Sequence, residues 1–111
     1  MKSRKVAGEA TLGVTIVQAK MLATGWRASR LIGSDVYNDK NEKVGKIDDL
    51  ILAPDGKLSV AVVNVGGFLG IANHRVAIPV EQFKTIAPKR ATLPGASKDE
   101  LKKLPEFKFT Q

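Results

Sequence analysis

The sequence predicts a mostly all-β domain of about five to six short strands, finished by a short C-terminal helix. Three observations carry that prediction. From Gly33 onward, short apolar runs rich in valine and isoleucine alternate with turn signals at close spacing. Ala53-Pro54-Asp55-Gly56 is a hairpin turn between two of those runs: proline presets the second position and glycine takes the left-handed one. Pro94-Gly95-Ala96 then leads into Ser97-Lys98-Asp99-Glu100, a capping box that opens a helix over 97–104. Leu101 and Leu104 face inward on that helix, and Pro105 stops it.

The elements follow in chain order. Residues 1–27 form an N-terminal arm, in which Leu12, Val14 and Ile16 alternate with Gly13, Thr15 and Val17. That alternation suits an extended arm with one apolar face: an edge strand, a partner-bound segment, or a disordered one as far as Ala23. Trp26, beside Arg27, reads as an anchor at the edge of the core rather than a stacking platform for bases, which usually comes with more aromatics. The domain proper spans 28–111. Asp35-Val36-Tyr37 is a strand, and 38–42 is a turn rich in residues that bond their own backbone. Lys43 to Ala53 is a longer strand, with Gly45 at a bulge or a close backbone approach. Its partner runs from Lys57 to Val65.

Both central strands are apolar on two sides. Leu50 and Leu52 point one way and Ile47 and Ile51 the other; Val60 and Val62 oppose Ala61, Val63 and Val65. Such strands need a core on one face and a helix, a second sheet or a second subunit on the other, which makes a homodimer the expected assembly. A glycine-rich stretch, 66–74, precedes the strand Arg75–Pro79. Val80 to Phe83 reads as one turn. Lys84–Ala87 and Ala91–Leu93 make a small hairpin about Pro88-Lys89-Arg90, and Phe107 and Phe109 belong to a last short strand.

Composition narrows the function. The chain has 111 residues, 43% of them apolar, which is room for one core. It has no cysteine and one histidine, which excludes thiol chemistry, thiolate metal sites and multi-histidine centres. The reading is therefore not an enzyme, with no catalytic residue, metal or cofactor. Eighteen basic residues against 11 acidic ones give a formal charge of +7. The cations are scattered, with no run of five, so the surface is a solvated basic one with weak attraction for nucleic acid or anionic surfaces. No apolar stretch approaches the ~18 residues of a transmembrane helix. Glu9, Gly8 and Gly13 interrupt any leader, so the chain reads as cytoplasmic, or as periplasmic after removal of a signal peptide.

Candidate sites are few. His74 can change charge near neutral pH but has no assignable carboxylate or nucleophile beside it and reads as exposed or locally hydrogen-bonded. Asp48 and Asp49, as strand neighbours, are expected on opposite faces and so cannot act as a pair. Asp39-Lys40-Asn41 starts like a calcium loop but lacks its later glycine and glutamate. Gly66-Gly67-Phe68-Leu69-Gly70 lacks the G-K-[ST] ending of a phosphate loop. Phe68 and Leu69 either close one end of the fold or stand out as an apolar anchor. The candidate interaction residues are Phe68, Leu69, Ile71, His74 and Arg75.

Gly33, Val36-Tyr37-Asn38, Val44-Gly45-Lys46-Ile47, Asp49-Leu50, Asp55-Gly56, Gly66-Gly67-Phe68-Leu69-Gly70-Ile71 and Val76-Ala77-Ile78-Pro79 together resemble the PRC-barrel domain. That family includes the barrel of the photosynthetic reaction centre H subunit and the end of a ribosome maturation factor. The tail Leu93-Pro94-Gly95-Ala96-Ser97, Leu101, Leu104-Pro105 and Phe107 is similar to that of small stand-alone bacterial members. The chain departs at Asn41, where many members have glycine, and at Ala72-Asn73-His74. The resemblance implies a small β-barrel and an adaptor role, with no catalytic residue to transfer. The expected function is thus a non-enzymatic, self-associating protein-interaction domain; the alternative is an RNA- or ribosome-associated factor binding through its basic surface.

Overall fold

The computed structural model describes residues 12–66 and 73–110. Three short helices, α1 (Ile16–Leu22), α2 (Ala28–Leu31) and α3 (Lys98–Lys102), accompany six strands: β1 (Asp35–Tyr37), β2 (Lys43–Leu52), β3 (Ser59–Val65), β4 (His74–Pro79), β5 (Thr85–Ala87) and β6 (Arg90–Thr92). They form one sheet in the order β4-β3-β2-β1-β6-β5. The hairpin turns are as the sequence predicts. Gly56 takes φ 76° and donates its N–H to Ala53 O at 2.8 Å, while Asn41 takes φ 65° in the position that would suit glycine. Asn38 Oδ1 closes that first turn by accepting the N–H groups of Lys40 and Glu42. The parallel pairing of β1 with β6, Asp35 opposite Arg90, joins segments distant in sequence and has no local signal.

Two irregularities control what faces inward. β1 and β2 shift register at Val36/Tyr37, and β2 and β3 shift between Ile47 and Asp49. The second shift leaves Asp48 as an extra residue, so the strict two-residue alternation breaks there. Ile47, opposite Val63, therefore lies on the same inner face as Leu50, opposite Ala61, and Ile51 turns to the outer face opposite Val60. The expectation that Ile47 shares a face with Ile51 is corrected by this bulge. Gly45 fulfils the expectation of close approach, since a Cβ there would stand 2.7 Å from the Asn64 carbonyl oxygen.

The core gathers on the inner face: Val36, Val44, Ile47, Ala61, Val63, Val65, Val76, Ile78 and Ala91 from the sheet, with Phe83, Leu93 and Leu101 closing over it. Each large side chain in it contributes about 1.5–3 kcal/mol of burial. On the outer face Val62 is also fully buried. The C-terminal tail lies on that side, its residues Phe107 to Thr110 walling a cleft with Asp49 and Ile51. The second cover that the doubly apolar strands demand is thus at least partly supplied by the same chain.

Four further expectations change. The C-terminal helix covers Lys98–Lys102 and not 97–104, so Leu104 lies beyond it and is exposed instead of facing inward. The sheet is open among the described residues, with β4 and β5 as its ends, so they do not form the closed barrel that the resemblance implies. The ladder has little to continue with, because β5 has three residues and Pro79 ends β4 without an N–H to donate. Within the arm, 16–22 is helical and not extended, since Thr15 and Gln18 form a capping box that outweighs the short apolar alternation. Phe107 and Phe109 form no strand; Phe107 makes a single backbone bond, to Arg75 O at 2.7 Å.

Candidate functional site

Of the five residues expected to mediate interaction, Phe68, Leu69 and Ile71 lie outside the described residues. His74 and Arg75 open β4 and both fasten the C-terminal tail. The His74 Nε2–H donates to Leu104 O at 2.8 Å, which fixes the proton on that nitrogen. Arg75 accepts the Phe107 N–H on its carbonyl and sends its own Nε to Asp48 Oδ2 at 2.6 Å. That hydrogen bond, together with the charge of Asp48, raises the guanidinium pKa above its ordinary value. Beyond these ties, Phe107 and Phe109 meet edge to face at 5.0 Å.

The bulge also overturns the reading of Asp48 and Asp49. Arg75 stands opposite Asn64, whose neighbours Val63 and Val65 are in the core, so its partner Asp48 is on the outer face. Asp49, opposite Val62, shares that face. The two carboxylates are nonetheless separately employed: Asp48 binds Arg75, and Asp49 Oδ1 accepts the Leu50 N–H at 2.8 Å. Asp39 likewise serves structure. Its carboxylate accepts the Gly95 N–H at 2.9 Å, the main reason its pKa is lowered. Asp35 is pushed up by burial but held below its ordinary value by the ammonium groups of Lys43 and Lys46, at 3.2 and 3.3 Å. Among the described residues, no three His, Cys, Asp or Glu side chains converge as a metal site.

One open feature of the described residues is apolar. Ala28 and Leu31 of α2, Leu50, Ile51 and Leu52 of β2, Ser59 of β3, Val80 in the 3-10 turn after β4, and Ile86 of β5 line a groove of about 300 Å³. Its walls come from segments scattered between 28 and 86, which is why sequence reading missed it. The available signal was the spacing of Leu50 and Leu52 on one face next to a turn. Leu52 is 65% exposed, and Leu58 and Ile32, chain neighbours of the groove's ends, are exposed as well. Trp26 is 59% exposed, so it is not the core-edge anchor expected of it. α1 is open too and buries none of its residues, although Ile16, Val17, Met21 and Leu22 are all large and apolar. No described helix is long and apolar enough to cross a membrane.

No curated protein matches the chain. The family model of the PRC-barrel domain matches residues 24–99, a span that runs from just after α1 through β1 to β6 into the start of α3, and the chain belongs to that family.

Proposed function

We propose that this protein is a non-enzymatic docking module that associates with itself. The observation that carries the reading is the coexistence, on one chain, of an uncovered apolar helix and an uncovered apolar groove. Contiguous apolar surface left in water marks interaction sites. Each buried Leu, Ile, Val or Met is worth about 1.5–3 kcal/mol, so several together offset an association cost of order 4–15 kcal/mol. The adaptor roles of the family support the same reading. So does the employment of His74, Arg75, Asp39 and Asp48 in holding loops and tail together, which leaves them poorly placed for chemistry.

Size-exclusion chromatography with light scattering tests it, run at low and high salt with and without bulk RNA. A dimer mass that persists as salt rises is the expected result, because apolar burial is not screened. A monomer that shifts only with RNA, and loses the shift as salt displaces phosphate contacts, would replace this reading with a nucleic-acid-binding one.

A further inference from the structure

We propose that α1 of each copy seats in the apolar groove of a second copy, so that two exchanged arms build a two-fold dimer. The inference rests on the self-association reading and names the surfaces that carry it.

The argument starts from the helix. At about 3.6 residues per turn, Val17 and Met21 fall on one side of α1, and Ile16, Ala19, Leu22 and Ala23 on the opposite side. Lys20 and Gln18 form the two polar strips between them. The large residues of both faces are exposed. A helix apolar on two opposite sides needs cover from both. A lipid surface or a one-sided groove would shield one face and leave the other wet. A two-fold dimer supplies both covers, the partner's groove for one face and the partner's body or own α1 for the other.

Length makes the same demand. Seven residues are well below the ~12–15 at which an isolated helix is marginal, and the described residues of its own copy bury none of α1, so packing against a second copy is what stabilises it. Its own groove does not hold it, because α1 buries no residue. The receiving surface fits: the groove presents hydrocarbon walls with Ser59 as their one hydroxyl residue and no charged side chain, and α1 carries Lys20 as its one charge.

Reciprocity enlarges the contact. A specific interface takes roughly 20–30 residues from each side. One arm in one groove sets seven residues against eight; with exchange each copy gives both sets, exposed Trp26, Ile32 and Leu58 lie beside them in the chain, and the contact closes, as isologous symmetry requires. The connection from α1 to α2 is a short turn, in which Thr24 and Gly25 donate their N–H groups to Met21 O and Leu22 O.

Two point variants of the full chain test the proposal, with light scattering and sedimentation equilibrium as readouts. Met21→Glu spoils the arm and leaves the groove; Leu52→Glu spoils the groove and leaves the arm. Both side chains are exposed, and far-UV circular dichroism confirms that each variant is folded. Each variant alone is expected to raise the dimer dissociation constant by at least about tenfold. An equimolar mixture of the two is expected to associate more tightly than either, because one intact arm then meets one intact groove. A wild-type dimer that both variants leave unchanged would overturn arm exchange while self-association stands. A wild-type monomer at every accessible concentration would overturn both. If the monomer instead floats with phosphatidylglycerol–phosphatidylcholine vesicles, and Met21→Glu abolishes that, the partner of α1 is a lipid surface and the proposal fails.

Discussion

Two short helices of this protein begin on the same kind of hydroxyl cap and end differently. In α1 the Thr15 hydroxyl accepts the Gln18 N–H at 3.1 Å; in α3 the Ser97 hydroxyl accepts the Glu100 N–H, also at 3.1 Å. Yet α3 buries Leu101 against β3 and β4, while α1, with more apolar residues, buries none. A cap sets where a helix starts. What holds the helix is the surface its side chains find. α3 is also anchored downstream, since the segment after it is tied to β4 through His74 and Arg75. α1 has no described bond beyond its own turn and linker.

The contrast can be broken most forcefully at its buried end. Leu101→Ala is expected to cost about 2–5 kcal/mol in denaturant unfolding, against less than about 0.5 kcal/mol for Leu22→Ala measured on dilute monomer. Equal losses would show that α1 is packed after all. Gly45→Ala, in the body that α3 leans on, is expected to cost about 1–3 kcal/mol, because its methyl group would collide with backbone at Asn64. The caps sharpen the comparison further. Ser97→Ala should lower global stability by about 1 kcal/mol, whereas Thr15→Ala should reduce far-UV helicity and leave the unfolding midpoint in place.

Acid separates the two regions by charge. The Asp35 carboxylate, held low by Lys43 and Lys46, contributes stability at pH values above its unfolded pKa of 3.8, and that contribution is lost as the pH falls through its lower folded value. The body is therefore expected to weaken below about pH 4, and Asp35→Asn to flatten that limb of the pH–stability profile. The stretch 12–27 contains no acidic residue, so the helicity of α1 should be insensitive over the same range. The smallest expected effect is a gain. Lys89 sits at φ 75° in the β5–β6 turn, so Lys89→Gly should raise the body's stability by about 0.5 kcal/mol and leave α1 untouched.

The two regions also differ in how far they could be read from sequence. β1, β2, β3 and β4 stood out because Pro54, Gly56 and the Asn38–Glu42 run are local turn chemistry, and α3 because Ser97 and Glu100 are a local cap. The same chemistry at Thr15 and Gln18 was present but masked by an apolar alternation too short to mean a strand. The phase change at Asp48 was not legible, since a bulge is set by pairing with β3 and leaves no mark on β2 alone. That one shift misplaced Ile47 and put Asp48 and Asp49 on the wrong faces. The groove was missed for the same kind of reason: Leu31, Leu50, Val80 and Ile86 meet only after the chain has folded. His74 and Arg75 were singled out as interaction residues, whereas the contacts the structure gives them are within the chain, 30 and 27 residues away, which no window of sequence displays.

The bond from Phe107 to Arg75 lies on the outer rim of β4, the last strand of the sheet. A bare terminal strand invites copy after copy to add on, which is how ordered aggregates grow. Here the rim is occupied at Arg75 and lacks a donor at Pro79, so stacking along it is obstructed at two of its outward positions. Edge-to-edge growth through β4 is thereby disfavoured, which leaves the short β5 as the end of the sheet still open to pairing.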